Sequence, residues 1–183
     1  MKYVQVRPLQ DLYGFHLDPQ AYLRALPGLL PGLPAGAAEF ASDPDHYDFG
    51  SSRCVKDLTL DRVELVDEHG RVSLELSLGP NEWKHDGGLR IRYSGVRDFR
   101  VKTDDTEGFE GVEGVEGVAG FELGGAAGFA GRAEWPPRLG DLQLDEVLPH
   151  PQGVSHEIAF TEGALLVVGA DLVARWDRPG LSS

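Results

Sequence analysis

Residues 154–176 read VSHEIAFTEGALLVVGADLVARW, two runs of alternating apolar residues joined at Thr161-Glu162-Gly163. Successive side chains of a strand point to opposite faces, so an apolar row at every second position marks a buried face. Val154, His156, Ile158 and Phe160 form such a row against Ser155 and Glu157. The second run places Ala164, Leu166, Val168, Ala170, Leu172, Ala174 and Trp176 on one parity, with Leu165, Val167 and Val173 on the other. The pattern predicts one long strand over 164–176, its even-numbered row inward and both sides covered for much of its length. A hairpin with such an arm belongs at the centre of a β-rich core.

The same periodicity recurs on both sides of the turns further upstream. Val72, Leu74, Leu76 and Leu78 alternate against Arg71, Ser73, Glu75 and Ser77. Leu58 and Leu60 share a face with Val63 and Leu65 only if one extra residue is accommodated near Asp61-Arg62, which predicts a β-bulge or a break. Asp67-Glu68-His69-Gly70 is a turn, with glycine where positive φ is easy. Leu89, Ile91 and Tyr93 form the next inward row, Ser94-Gly95 kinks it, and Val96, Phe99 and Val101 continue. Leu142 and Leu144 restart the alternation, and Val147-Leu148 lead into Pro149.

The first 50 residues have another texture. Lys2 to Val6 suits a short strand, and Asp18-Pro19 opens a helix whose stripe is Tyr22, Leu23 and Leu26 and which ends at Pro27-Gly28. Residues 29–34 are too proline-dense for helix and predict an extended connector, followed by helical turns over 35–41 anchored by Phe40. The chain therefore reads as a single, mainly β domain over 1–183. It predicts an antiparallel β-sandwich or open barrel of about six or seven strands with a short helical N-terminal lead-in. The lead-in covers 1–50, the β core 54–102 and 139–176, and a glycine-rich insertion 103–138.

Within that insertion, residues 108–121 read GFEGVEGVEGVAGF, a repeat of three. Phe109, Val112, Val115, Val118 and Phe121 share a face only at three residues per turn, as in polyproline II or a 3₁₀ helix. Glu107, Glu110, Glu113, Glu116 and Glu122 would repel a phosphate, which excludes an anion-cradling loop.

Composition narrows the classes of partner. The 183 residues carry a formal net charge of −13, which disfavours nucleic acid and anionic membrane and suits a basic protein partner. Cys54 is the single cysteine, so no internal disulfide can form, and a reducing, cytoplasmic setting is expected. The longest apolar run, 163–170, is far short of the roughly 20 residues that span a bilayer. No membrane association and no cofactor are predicted, and the oligomeric state is left open.

Four sets of residues could carry chemistry. Asp43, Asp45, His46 and Asp48 crowd one short loop and could offer oxygens and a nitrogen to a cation, although the spacing departs from a calcium loop and suits an acidic turn better. His156 lies on a core-facing row, where an imidazole is either a satisfied structural group or, with Glu157, a pocket-facing base or ligand. Arg90, Arg92 and Arg97 cluster on one strand of an acidic protein, facing either cross-strand carboxylates or a small anion. Trp83, Trp135 and Trp176 are candidate stacking platforms for a sugar. Cys54 reads as a small buried residue, and no zinc, nucleophile-elbow or dinucleotide motif occurs.

The stretches 89–99 (LRIRYSGVRDF) and 154–176 resemble, in strand texture, small uncharacterised bacterial β proteins, some thought to be immunity proteins of toxin systems. The resemblance covers about a third of the chain, brings no functional residues with it and implies a binding role. The leading expectation is a non-enzymatic cytoplasmic interaction protein. Its alternatives are a metal-assisted hydrolase or isomerase around His156, and a small-anion or sugar-binding β module.

Overall fold

The computed structural model describes residues 1–9, 14–68, 70–103 and 138–177. The glycine triplets, Trp135 and the proposed insertion up to residue 137 lie outside them. The described chain is mainly β and antiparallel throughout, with the order β1 (Gln5–Pro8), β2 (Phe15–Asp18), α1 (Gln20–Leu29), α2 (Ala35–Ala41), β3 (Thr59–Glu68), β4 (Arg71–Gly79), β5 (Leu89–Ser94), β6 (Asp98–Thr103), β7 (Leu142–His150), β8 (Gly153–Phe160), β9 (Gly163–Gly169) and β10 (Asp171–Trp176). β1 and β2 pair alone; the others form two four-stranded sheets, ordered β10-β5-β4-β3 and β6-β9-β8-β7.

Strand after strand, the alternation seen in the sequence becomes burial. β8 buries Val154, His156, Ile158 and Phe160, β5 buries Leu89, Ile91 and Tyr93, and β4 buries Leu74, Leu76 and Leu78. All of the apolar members belong to one continuous core. The extra residue expected near Asp61-Arg62 is present, since the β3–β4 register shifts between Leu60 and Arg62.

Ten strands stand among the described residues where six or seven were expected. One reason is the β1–β2 hairpin, which extends the predicted Lys2-to-Val6 strand into a pair. The others are that 89–101 is two strands, β5 and β6, and that 164–176 is two strands, not one. β9 pairs with β8 and β6, whereas β10 pairs with β5 in the other sheet. The inward parity changes with the sheet: Leu165 and Val167 are buried on β9, Leu172 on β10, and Val173 is exposed. Apolar residues on both parities made the single-strand reading fit equally well.

The chain also changes sheet between β5 and β6, so two adjacent connections bend together. Ala170 donates to the Ser94 carbonyl and Arg97 to that of Val168, both at 2.8 Å, stitching the bend. Gly95 takes φ +57° there, where a Cβ would press on that of Ala170.

α1 begins beyond Pro19, with the Asp18 carboxylate accepting the Gln20 N–H at 2.8 Å. It runs through Pro27-Gly28 to Leu29, past its expected end, and passes into a 3₁₀ turn, Leu30–Gly32, where an extended connector was predicted. Pro31 suits the start of such a turn because its missing N–H is not needed there. Tyr22 on α1 and Tyr47 in the following loop then finish β7. Their hydroxyls donate at 2.8 Å to the carbonyls of Val147 and Asp145. β7 is the last strand of its sheet, and these two phenols occupy carbonyls that an edge strand would otherwise present.

Candidate functional site

The polar centre of the protein is Asp145, 1% exposed, and two histidines meet it. His46 Nε2 lies 2.7 Å from Oδ1, and His156 Nε2 lies 2.8 Å from Oδ2. The chain continues across the core, with the Tyr93 hydroxyl 2.6 Å from His156 Nδ1. Tyr93 stands on one four-stranded sheet and His156 on the other, so this bond ties the two together. Phe40 of α2 packs its ring 4.4 Å from that of His46 and 5.7 Å from that of His156.

The acceptors dictate where the protons are. His46 Nδ1 faces the Phe40 carbonyl at 3.1 Å, and a carbonyl can only accept. Its Nε2 faces a carboxylate, which also only accepts. Both ring nitrogens must therefore donate, and His46 is an imidazolium. Burial opposes that charge, but the field and hydrogen bond of Asp145 outweigh it and hold His46 above its ordinary pKa. Burial would likewise raise Asp145; the His46 charge and the two histidine bonds prevail and hold the carboxyl well below the usual range. His156 closes the chain by donating from Nε2 to Asp145 and accepting the Tyr93 proton at Nδ1. Burial, then the Asp145 charge, keep the Tyr93 phenol well above its usual pKa, so it holds a proton for which His156 Nδ1 is the partner at 2.6 Å.

His85 shows the opposite assignment. Its Nδ1 accepts from the Asn81 N–H at 3.0 Å and its Nε2 donates to the Cys54 carbonyl at 2.9 Å. That ring is neutral, and burial pushes its pKa down.

The sequence candidates are placed as follows. His46 and His156 come together, on a residue, Asp145, that the pattern did not single out. The reason is a second bulge, between Leu142 and Leu144 in the β7–β8 register. It moves the inward row of β7 from the even positions to Asp145 and Val147, and a one-residue slip in a strand exchanges its faces. Glu157, next to His156, points to the opposite side and receives the Met1 amine. Its neighbour across the strands, Glu146, is 2% exposed and takes the backbone N–H groups of Lys2, Tyr3 and Val4 at 2.5, 2.6 and 2.8 Å. His156 and Glu157 thus do not face a common substrate.

Two carboxylates of the 43–48 loop, those of Asp43 and Asp48, each use one oxygen on a local turn. Asp43 accepts the Asp45 N–H at 3.0 Å and Asp48 the Gly50 N–H at 2.9 Å, while Arg53 approaches Asp43 at 3.4 Å. Among the described residues, no group of three or more His, Cys, Asp or Glu side chains is arranged to hold a metal ion. Arg90 pairs with Asp177 at 2.7 Å, and Arg92 stands opposite Glu75 in register. Arg97 is exposed at the bend between β5 and β6. Cys54 is fully buried, which pushes its thiol pKa up.

No family model, curated protein or solved structure matches this chain. Its function has to be argued from the site itself. No helix among the described residues is long and apolar enough to cross a membrane. A shallow cavity of about 380 Å³ lies beside the N-terminal strand, lined in part by Lys2, Gln5, Arg7 and Glu157, on the far side of the sheet from His156.

Proposed function

We propose that the protein is a non-enzymatic interaction protein for a basic partner, immunity-like in role, built on a β-sandwich whose halves are the two four-stranded sheets. The observation that carries this reading is the enclosure of the Asp145 chain. His46, Asp145 and His156 are 2%, 1% and 0% exposed, and each polar atom of the chain is satisfied by another part of the protein. A general base must reach the proton it removes, directly or through one water. These histidines reach only the protein, so their work is to position α2 and the two sheets. What remains for function is the surface, and a net charge of −13 attracts cationic surfaces from a distance.

The test is capture from a cytoplasmic extract of the source organism, followed by reconstitution from purified components. The expected result is a stoichiometric complex with one basic protein, weakened by salt. Purified protein that instead retains a stoichiometric zinc, manganese or calcium ion through dialysis, released only by a chelator, would overturn the reading in favour of the metal-assisted alternative.

A further inference from the structure

Trp83 is 96% exposed, far beyond any other large apolar residue among those described. An indole in water forgoes a large burial gain, and here the backbone beneath it is fixed. The Asn81 side-chain oxygen accepts the Trp83 N–H at 3.0 Å. The Asn81 carbonyl accepts the N–H groups of Lys84 and His85 at 3.0 and 2.9 Å. His85 anchors the turn from below through Asn81 and Cys54, its ring stacked on Trp176 at 6.0 Å. The turn is rigid while its largest side chain touches almost nothing.

A second exposed aromatic stands on the neighbouring turn. Phe49 is 43% exposed, and the Ser52 hydroxyl ties its turn to the tryptophan turn by donating to Asp86 at 2.7 Å. The exposed charges of the two turns are mainly acidic. Asp48, Glu82 and Asp86 are exposed. Of the cations close by in sequence, Lys84 reaches inward to the Lys56 carbonyl at 3.0 Å and to Asp57 at 3.4 Å, Lys56 pairs with Asp57, and Arg53, half exposed, approaches Asp43 at 3.4 Å.

We propose that Trp83, flanked in sequence by Glu82 and Asp86 and tied through Asp86 to the turn that carries Phe49 and Asp48, docks an arginine-rich segment of a protein partner. Guanidinium groups stack on indole faces more favourably than on other side chains, and flanking carboxylates take their N–H donors. Tryptophan is prominent among residues that dominate binding energy, and a fixed backbone lowers the entropy lost on docking. The inference rests on the basic-partner reading and gives it a location.

Calorimetric titration of the purified protein with a synthetic arginine- and glycine-rich decapeptide tests it, with a glutamate- and glycine-rich decapeptide and a soluble chito-oligosaccharide as comparisons. The arginine peptide is expected to bind. Trp83→Ala should weaken it about 10-fold or more with an unchanged melting temperature, and Trp83→Phe should retain most of the affinity. Equal affinity of wild type and Trp83→Ala would overturn the docking site while leaving a diffuse acidic attraction, and with it the basic-partner reading, intact. Absence of binding to the arginine peptide, or a Trp83-dependent affinity for the oligosaccharide alone, would overturn it as well; the fate of the broader reading is then decided by the extract capture.

Discussion

Asp145→Ala is expected to cost about 3–5 kcal/mol of stability at pH 7, measured by guanidinium denaturation. The substitution leaves a buried imidazolium at His46 without its counter-charge and an unpartnered N–H on His156. Removing one member of a buried pair is costly because the other stays desolvated, whereas removing the whole set relieves that burden. Asp145→Ala combined with His46→Leu and His156→Leu is therefore expected to lose less than Asp145→Ala alone. If the single and combined variants lost the same amount, Asp145 would be acting through its volume and not its charge. Domains of this size are stable by only about 5–15 kcal/mol, so the single substitution takes a large share.

The second large effect is expected at Gly153, where β8 leaves the turn from β7. Its φ is +122°, and a Cβ would sit 2.3 Å from the Ala170 carbonyl oxygen and 2.6 Å from that of Gly169. Those carbonyls belong to the backbone where the chain passes from β9 to β10, so neither can move without shifting a sheet. Gly153→Ala combines a strained conformation with overpacking and should cost about 3 kcal/mol or more. Gly28→Ala is the control: in α1 its Cβ meets nothing within 4 Å, and alanine is the better helix former by about 1 kcal/mol. Comparable losses at the two positions would show that the crossover is not rigid.

Most of the sheet was legible because its faces differ. Val72 to Leu78 and Leu89 to Tyr93 alternate cleanly, and their burial follows. Where both parities are apolar, as at Leu165 to Val168, periodicity says that the chain is buried but not which face is inward. The change of sheet at Gly169-Ala170 was hidden for that reason. His156 was readable as a core imidazole from its neighbours Val154 and Ile158. Its partner was not, because Asp145 reaches the core only through the bulge at Gln143, and an extra residue leaves no mark in a run such as Leu-Gln-Leu-Asp-Glu-Val. His46 lay in a loop dense with aspartates, which drew attention to ligands; the carboxylate it binds is 99 residues away in the sequence. Trp83 carried no pattern of its own, since exposure depends on what the rest of the fold leaves uncovered.

The Asp145 chain also sets a dependence on pH. His46 has a folded pKa raised above the ordinary 6.5, so its contribution is complete below that value and is lost as pH rises through the folded pKa. Asp145 has a folded pKa lowered from 3.8, so its contribution is present above that value and is lost only as acid approaches the folded pKa. The pair is therefore at full strength between about pH 4 and 6.5. His85, lowered by burial, runs the other way, contributing above 6.5 and losing that contribution as pH falls through its folded pKa.

The most direct measurement is the protonation of the imidazole nitrogens by nitrogen-15 magnetic resonance on histidine-labelled protein at pH 7.5. The proton assignment predicts two slowly exchanging N–H groups on His46, a single one on His156 at Nε2, and a bare Nδ1 accepting from Tyr93. A His46 ring with one protonated nitrogen, titrating freely near 6.5, would contradict it and would mean that the centre of the fold is neither charged nor sealed.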